Sequence, residues 1–338
     1  MSVQNEIDNI INACQMISVQ DFVQISNFHE KSGFYNIEEK NKIGIKGHFI
    51  TSPEISSIFG TAMFNQFIDK NPNIQKIHLL ELGPGNGYLT YDILEQMNNN
   101  GIEVLSITLL EKSSYFTNQL EKLNKLEKFS IITDIENFHI DDEEIVFIYS
   151  NEFLDAFGHK QYIYKNDHFY EIFVTKEEDH YALRTISAIH SEYIKKDYKF
   201  INFKDNDILE HSPLIDFFIQ NLCRTINKFY FATNDYGYTE HSKKSSLRAL
   251  REHNKINLFE SFERVDYSFS VDFNRLIKLF LPYKGEVITQ FDFIKKYASS
   301  FFNNSVEADS KIIKDLLTGN KKDQMGLIFK NFNVKNYD

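Results

Sequence analysis

The sequence predicts a doubly wound, Rossmann-like α/β fold in which helices cover both faces of a mostly parallel sheet. Apolar segments of strand length alternate with helical segments from residue 76 onward, and such runs are typical of parallel strands that are buried on both faces. A glycine-rich turn follows the first of these strands, at the position where open α/β sheets bind cofactors. With 338 residues, 42% of them hydrophobic, the chain can form one large core and an inserted subdomain.

The first 70 residues are predicted to form a helical cap over the cofactor-binding domain. Apolar residues at helical spacing indicate one or two helices within residues 1–30. A longer helix is predicted to begin at the sequence TSPE. Thr51 can cap it, Pro53 suits its first turn, and Glu54 completes a capping box.

Five strands are predicted in the body of the fold, with helices after the first, second and fourth. They are residues 77–82, 104–110, 130–133, 145–150 and 229–235. The long segment before the fifth strand predicts a structured insertion, because loops of that length are uncommon; it contains a hairpin (161–174) and a helix (208–227). Late elements at 273–281, 286–290, 291–302 and 326–332 complete the sheet, with one strand antiparallel. The predicted organisation is a cap (1–70), a cofactor-binding half (71–156), an insertion (157–228) and a C-terminal half (229–338).

Composition excludes several classes of function. The net charge of −11 argues against nonspecific binding to nucleic acid or to an anionic membrane. The two cysteines, Cys14 and Cys223, supply neither a disulfide framework nor a paired-cysteine site, and no metal is predicted. The chain has no apolar run of about 18 residues and no basic leader, which predicts a cytoplasmic protein without membrane insertion.

The most informative segment is residues 81–87 (ELGPGNG), between a predicted strand and a predicted helix. Gly83, Gly85 and Gly87 let the backbone turn tightly and approach a ligand, to which the next helix offers amide groups. The spacing does not fit GxGxxG, and no phosphate-loop lysine follows. An acidic residue ahead of GxGxG instead fits S-adenosylmethionine, because Glu81 suits its cationic methionine end. Asn86 is predicted to bind the cofactor with the turn.

Acidic residues also end the next two predicted strands. Glu111 lies 24 positions after Gly87, where a carboxylate can accept both ribose hydroxyls of a nucleotide. Asp134 can bond the adenine amino group, and Ile135 can pack against its ring. The glycines alone fit an ordinary tight turn, but acidic residues at three successive strand ends favour the cofactor.

Several segments together resemble the MidA-like S-adenosylmethionine-dependent methyltransferase family, over about residues 29–332. They are residues 47–56 with 59–60, the glycine turn, and residues 150–156 (SNEFLDA), 235–238 (DYGY), 247–249 (LRA), 271–273 (VDF) and 325–330 (MGLIFK). The resemblance implies a seven-stranded methyltransferase sheet and S-adenosylmethionine as the donor. It implies a protein arginine as one acceptor class, such as an arginine of a respiratory-chain subunit in complex I assembly.

An arginine acceptor explains acidic residues after the fourth strand. The arginine pKa is above about 12, so bare deprotonation near pH 7 requires about 7 kcal/mol. Glu152 and Asp155 can bind the guanidinium and accept its proton, and Asn151 can add a carbonyl acceptor. The alternative is that Asn151 and Asp155 cap the next helix. Thr51 and Ser52 are likewise predicted either to close over the cofactor or to act only as local caps.

Three positions beyond the fifth strand carry weaker predictions. Asp235 and its neighbours Tyr236 and Tyr238 can line an acceptor channel or form a tight turn, whereas Asp272 is interpreted as a helix cap. Residues 157–160 (FGHK) depart from the Leu-Pro pair of the family, on the acceptor side. A small-molecule methyltransferase and a non-catalytic assembly factor, with the aromatic insertion as its partner surface, therefore stay open as alternatives, as does the oligomeric state.

Overall fold

The computed structural model describes residues 1–38, 51–123, 128–252, 254–299 and 325–338. Residues 47–50 of the family resemblance and the end of the helix predicted at 291–302 lie outside these ranges. The described helices are α1 (Val3–Cys14), α2 (Val19–Phe28), α3 (Ser52–Ile55), α4 (Ile58–Lys70), α5 (Tyr88–Asn99), α6 (Ser114–Leu123), α7 (Ser191–Asp197), α8 (Pro213–Thr225), α9 (Phe273–Leu279), α10 (Gln290–Tyr297) and α11 (Met325–Ile328). The described strands are β1 (Ile17–Ser18), β2 (Lys76–Leu82), β3 (Glu103–Leu110), β4 (Ser130–Ile132), β5 (Ile145–Asn151), β6 (Lys160–Lys165), β7 (His168–Glu177), β8 (His180–Ser187), β9 (Ile208–His211), β10 (Lys228–Tyr238), β11 (Arg248–Arg251), β12 (Asn254–Lys255), β13 (Asp266–Ser268), β14 (Val271–Asp272), β15 (Glu286–Thr289) and β16 (Phe329–Lys335).

The chain forms two compact units, each assembled from three stretches of sequence. The sheet unit comprises residues 39–154, 218–237 and 273–338, and the insertion unit comprises residues 1–38, 155–217 and 238–272. These boundaries differ from the four consecutive segments predicted above, because residues distant in sequence share each core.

The sheet unit has the predicted fold class. Its strands lie in the order β15-β16-β10-β5-β2-β3-β4. The strands from β4 to β10 are parallel, and β16 is antiparallel to β10. This arrangement confirms a seven-stranded, doubly wound sheet with one antiparallel strand.

Buried aromatic side chains form the centre of this sheet unit. Phe67 of α4 stacks on Phe147 of β5 with ring centroids 4.4 Å apart. Tyr149 of β5 and Tyr230 of the neighbouring strand β10 belong to the same core. Because β2 and β5 are buried almost throughout, they read in the sequence as continuous apolar runs. Leu82 of β2 pairs with both Ser150 of β5 and Leu110 of β3, so the carboxyl ends of these strands share one edge.

Two predicted helices in the sheet unit are wrong in part. No helix follows β5, where turns lead instead to β6. The helix predicted from TSPE is interrupted: α3 ends at Ile55 and α4 begins at Ile58.

The insertion unit holds a second, separate core. Strands β1, β7, β6 and β9 form its larger sheet, with β8 paired to β7, and β12, β11 and β13 form a smaller one. The predicted hairpin is the antiparallel pair β6 and β7. The helix predicted at 208–227 is instead β9 followed by α8, which begins at Pro213 after Ser212 accepts from the amide of Ile215 at 3.3 Å.

The two N-terminal helices, predicted to pack over the cofactor-binding domain, belong to the insertion unit. Phe22 of α2 contacts Tyr267 of β13 edge to face, with ring centroids 5.2 Å apart. Ile7 of α1 shares this core with Ile172 and Val174 of β7. No helix in the described ranges is long and apolar enough to cross a membrane.

Candidate cofactor and acceptor site

The glycine turn joins β2 to α5 in a conformation that depends on its glycines. Gly83, Gly85 and Gly87 have φ angles of +64°, +53° and +80°, a region that costs residues with a side chain about 1–2 kcal/mol each. A Cβ atom at Gly83 would lie 2.7 Å from Cδ2 of Phe153. The turn therefore brings its backbone against the loop that follows β5, and any side chain at Gly83 would disturb that contact.

Glu81, the acidic residue of the turn, is buried, and its pKa is raised. It is 2% exposed, and its Oε2 accepts a hydrogen bond from the hydroxyl of Thr90, which lies 2.7 Å from Oη of Tyr149. Burial raises the pKa of Glu81 to about 8, although the bond from Thr90 acts in the opposite direction. The carboxyl group is therefore mostly protonated at neutral pH, and a cation beside it would lower its pKa and restore the charge.

The other two predicted acidic residues lie at the same sheet edge. Glu111 follows β3, is 7% exposed, and accepts from the amide of Ser113 at 2.7 Å. Asp134 follows β4, is exposed, and accepts from the amide of Glu136 at 3.0 Å. Ile135 beside it is buried. Since β2, β3 and β4 are adjacent and parallel, the acidic residues line up as predicted at the carboxyl edge.

The short helix α3 joins the glycine turn through a side-chain contact. Asn86 donates from Nδ2 to Oε1 of Glu54 at 2.5 Å, and burial raises the pKa of Glu54. The predicted capping box is therefore wrong, since Glu54 is engaged by Asn86 and Thr51 makes no side-chain cap bond. Ser52 is buried and donates to Oε1 of Gln290 at 3.1 Å, so it is tied to α10.

Glu152 and Asn151 stand at the carboxyl end of β5. Asn151 donates from Nδ2 to Oε1 of Glu152 at 3.1 Å. The backbone of Glu152 has φ +53°, and its amide donates to the carbonyl of Asn234 at 2.9 Å. A left-handed glutamate is strained, and such strain concentrates at functional sites. Phe153, the next residue, is the one that contacts Gly83, so the loop of Glu152 lies beside the glycine turn.

Asn234 and Asp235, at the end of β10, hold this loop. The Oδ2 atom of Asp235 accepts from the amides of Phe153 at 3.2 Å and Leu154 at 2.8 Å. Nδ2 of Asn234 donates to Oδ1 of Asn151 at 3.1 Å and to Oε1 of Gln290 at 2.9 Å. Sequence reasoning placed Asp235 in an acceptor channel or a turn, and missed Asn234 and Gln290. The signal for Asn234 was a polar residue that continues an otherwise buried, apolar strand, whereas Gln290 at the start of α10 had no such signal.

Asp155, the third predicted catalytic residue, belongs to the insertion unit. Burial raises its pKa, whereas the positive charge of Arg248 acts in the opposite direction. Burial also raises the pKa of Asp266 to about 7, and the charge of Asp155 adds to that shift. The alternative in which Asn151 and Asp155 cap a following helix is wrong, because no helix follows β5. The role of Asp155 toward an acceptor stays a prediction.

Asp272 has a contact in the insertion unit that the sequence did not indicate. Its Oδ2 lies 3.3 Å from Nε2 of His241, and the ring of His241 lies 5.1 Å from that of Tyr238. The interpretation of Asp272 as a helix cap did not anticipate this pair.

Comparison with known proteins identifies the family to which these features belong. Residues 60–284 match the model of the family described as "Putative S-adenosyl-L-methionine-dependent methyltransferase". The chain also superimposes with a TM-score of 0.82 on a candidate methyltransferase from Burkholderia thailandensis, crystallised with S-adenosyl-homocysteine. That comparison covers 99% of this chain and 91% of the other at 15% identity, and it shows the fold.

Relatives among characterised proteins carry one name. The chain is 25% identical over 297 residues to the mitochondrial protein arginine methyltransferase NDUFAF7 homolog of Caenorhabditis elegans, covering 78% of this chain and 68% of that protein. It is 25% identical over 365 residues to the Xenopus tropicalis protein, covering 94% and 82%. The mouse protein is 32% identical over 142 residues, covering 39% of this chain and 30% of the relative.

These relatives correct one prediction and support another. They are mitochondrial by name, so the predicted cytoplasmic location is wrong. The cofactor prediction is confirmed by the family match. Because the family model covers well over half of the sequence, this chain belongs to that family of S-adenosyl-L-methionine-dependent methyltransferases.

Proposed function

We propose that this methyltransferase acts on an arginine side chain of a protein, and that Glu152 orients the guanidinium and accepts its proton. The observation that carries the proposal is the position of Glu152. It lies at the end of a central strand with a left-handed backbone, and its neighbour Phe153 contacts Gly83 of the glycine turn. The names of the relatives support arginine as the acceptor.

The residues of the sheet edge suit S-adenosylmethionine. Bound there, the cofactor supplies a methyl group already activated on a sulfonium. Gly83, Gly85 and Gly87 of the turn let the backbone approach the cofactor closely, because a glycine carries no Cβ atom. We assign Glu81 and Asn86 to the methionine end of the cofactor, Glu111 to the ribose, and Asp134 with Ile135 to the adenine. We further propose that Thr51 and Ser52, at the start of α3, close over the cofactor. Glu81 fits a cation because its buried carboxyl group gains a partner on ionising.

On the acceptor side, the carboxylate of Glu152 has to achieve two things. A carboxylate can pair with a guanidinium through two parallel hydrogen bonds, which fixes the guanidinium plane. The same carboxylate can accept a proton, which matters because an arginine resists deprotonation by about 7 kcal/mol near pH 7. Asn151 already donates to Oε1 of Glu152 and so orients the carboxylate before the acceptor binds. Correct alignment of reactants can contribute about 7–11 kcal/mol to a displacement reaction.

The proposal is tested by labelling. Purified protein is incubated with methyl-labelled S-adenosylmethionine and a lysate of cells that lack the gene, and labelled residues are mapped by mass spectrometry. The proposal predicts label on arginine of a protein, and no label with Glu152→Gln. The matched control is Glu178→Gln, because Glu178 has a similar φ of +55° but lies in the turn between β7 and β8.

Three outcomes would overturn the proposal. Label confined to small molecules would identify a small-molecule methyltransferase. Binding of S-adenosylhomocysteine without any label would indicate a non-catalytic assembly factor. Full labelling by Glu152→Gln would remove Glu152 from the reaction.

A further inference from the structure

We propose that Asn234 and Asp235 are positioning residues that set the conformation of the loop at residues 151–154, and through it the orientation of Glu152. The catalytic consequence rests on the proposed function, whereas the structural claim does not. The geometry points to this pair because two consecutive residues of β10 contact four consecutive residues of the loop.

Asn234 determines where the loop begins. Its carbonyl accepts from the amide of Glu152 at 2.9 Å, which continues the β5–β10 pairing by one residue beyond Asn151. Its side-chain Nδ2 donates to Oδ1 of Asn151, and Nδ2 of Asn151 then donates to Oε1 of Glu152. The bonds run in one direction, from Asn234 through Asn151 to the carboxylate of Glu152.

The side chain of Asn234 is itself held in a single orientation. Its Nδ2 donates to Oε1 of Gln290 as well as to Asn151. A flipped amide would set Oδ1 against these two acceptor oxygens, which is repulsive. Gln290 accepts in turn from Ser52, so residues from α3, α10, β10 and β5 converge in one hydrogen-bonded chain. The side chains of Ser52, Gln290, Asn234 and Asn151 are at most 9% exposed, so water hardly competes for these bonds. Oδ1 of Asn234 is buried and has no hydrogen-bond partner among the described residues, so Nδ2 alone holds the side chain.

Asp235 determines where the loop goes next. Its fully buried carboxylate accepts from the amides of Phe153 and Leu154 on Oδ2, and from the amide of Tyr236 at 2.8 Å on Oδ1. The amides of Phe153 and Leu154 come directly after Glu152, whose φ of +53° is costly for a residue with a side chain. The carboxylate thus stabilises the amides downstream of a strained residue.

A positioning role explains the chemistry of this pair better than a direct one. Asp235 accepts from backbone amides on both oxygens, an arrangement that suits a carboxylate that holds the backbone. Asn234 is fully buried, and it bonds to the amide of Glu152 through its carbonyl and to Asn151 through its side chain. Both residues therefore act on an acceptor through Glu152.

Amide hydrogen exchange tests the positioning claim without using activity. Asp235→Ala removes the acceptor, and we expect exchange at the amides of Phe153 and Leu154 to accelerate at least tenfold. Asp235→Asn keeps one carbonyl oxygen and is expected to restore most of the protection. The control is Glu210→Ala in the insertion unit, which removes another buried carboxylate that accepts a backbone amide, that of Ser246 at 2.9 Å. It should free Ser246 and leave Phe153 and Leu154 unchanged.

Kinetics test the catalytic consequence. Misplacement of a reacting group by about 1 Å can reduce rate by about 100-fold, so Asp235→Ala should lower kcat by 10- to 100-fold. KM for an arginine peptide and the Kd for S-adenosylhomocysteine should stay within threefold, and Asp235→Asn should recover kcat to within tenfold of wild type. Asn234→Ala removes the donor to Oδ1 of Asn151, so it should also lower kcat by 10- to 100-fold while KM and Kd stay within threefold.

Each result decides the matter. Unchanged exchange at Phe153 and Leu154 in Asp235→Ala, or equal acceleration in Glu210→Ala, overturns the positioning claim. Faster exchange with unchanged kcat overturns its catalytic consequence. If Asp235→Ala does not fold, Asp235→Asn and Asn234→Ala carry both measurements. Asp235→Asn keeps one acceptor oxygen for three amides, so exchange at Phe153 and Leu154 should still exceed the wild-type rate, and wild-type exchange in both variants would overturn the claim. If the wild-type protein does not methylate arginine, the proposed function fails while the exchange result still decides whether the pair fixes the loop.

Discussion

The glycine turn after β2 and the loop after β5 each have a buried carboxyl group beside them, and the two groups differ in the hydrogen-bond donors that surround them. Glu81 at the turn has hydrogen-bond donors from a single residue, Thr90, and its pKa is raised to about 8. Asp235 beside the loop accepts from three backbone amides. Burial of a carboxyl group therefore does not by itself determine its role in the protein. A carboxyl group with many backbone donors holds structure, whereas one with few donors is poised to respond to a charged ligand.

The largest effect on methyl transfer is expected for a substitution of Glu152, in the loop after β5. Glu152→Gln keeps the shape of the side chain but removes the proton acceptor, so transfer should fall by about 10²- to 10⁴-fold. The Kd for S-adenosylhomocysteine should change less than threefold, because the glycine turn is untouched. Single-turnover kinetics and calorimetry measure the two quantities, and a variant that loses both together would show that turn and loop are not separable.

The second largest effect is expected for a substitution in the glycine turn. Gly83→Ala places a Cβ 2.7 Å from the ring of Phe153 at a φ of +64°, so the affinity for S-adenosylhomocysteine should fall at least tenfold. Gly101→Ala is the matched control, since Gly101 has φ +68° with nothing within 4 Å of the added atom. Both variants should lose about 1–2 kcal/mol of stability from backbone strain, and only Gly83→Ala should lose affinity. Equal affinities would mean that the close approach at Gly83 is irrelevant to the cofactor.

Local patterns in the sequence predict the sheet well and its loops poorly. The strand predicted at 145–150 is Ile145–Asn151 in the structure, because a buried parallel strand reads as an apolar run. The helix predicted after it does not form, since Asp235 takes the amides of Phe153 and Leu154 from 82 and 81 positions away. A contact at that separation leaves no local pattern.

The same limit applies to the site residues. Glu81, Glu111 and Asp134 were recognisable because each ends a strand, and the parallel pairing places strand ends together. Asn151 and Glu152 both bond to Asn234 of β10, and Asn234 in turn bonds to Gln290 of α10. Nothing in the sequence near residue 151 indicates these partners. The sequence also does not indicate which residues the N-terminal helices contact. Their apolar residues share a core with Ile172 and Val174 of β7, which are more than 140 positions away in the sequence.

The raised pKa of Glu81 should make the stability of the protein depend on pH. Its folded pKa of about 8 exceeds the ordinary value of 4.5, so the folded protein binds the proton more tightly than the unfolded chain. The stabilisation is complete below about pH 4.5 and is lost as the pH rises through about 8. Across this window, Glu81 should contribute a slope of up to about −1.4 kcal/mol per pH unit to the free energy of unfolding.

Urea unfolding from pH 5 to 9 measures this slope by comparing wild type with Glu81→Gln, which cannot ionise. The variant should gain stability relative to wild type at pH 8, and it should bind S-adenosylhomocysteine more weakly. Calorimetry at pH 7 in buffers of different ionisation enthalpy should show that wild type, but not Glu81→Gln, releases a proton on binding. Parallel stability curves would contradict the raised pKa.

The smallest effect is expected at Asp134, which is exposed and therefore screened by solvent. Asp134→Ala should weaken S-adenosylhomocysteine binding by about 5- to 10-fold, the equivalent of one hydrogen bond. It also removes the acceptor for the amide of Glu136, so Asp134→Asn, which keeps an acceptor oxygen, is the control. Calorimetry should show that the asparagine variant retains more affinity than the alanine variant, and the opposite order would exclude the predicted contact with the adenine amino group.

The central claim is that the cofactor bound at the glycine turn faces the loop held by Asn234 and Asp235. A crystal structure of the protein with S-adenosylhomocysteine tests this most directly. We expect the homocysteine end of the ligand to lie beside Glu81 and Gly83, with its sulfur directed toward the carboxylate of Glu152. A ligand bound away from residues 81–87, or a sulfur directed away from Glu152, would contradict it.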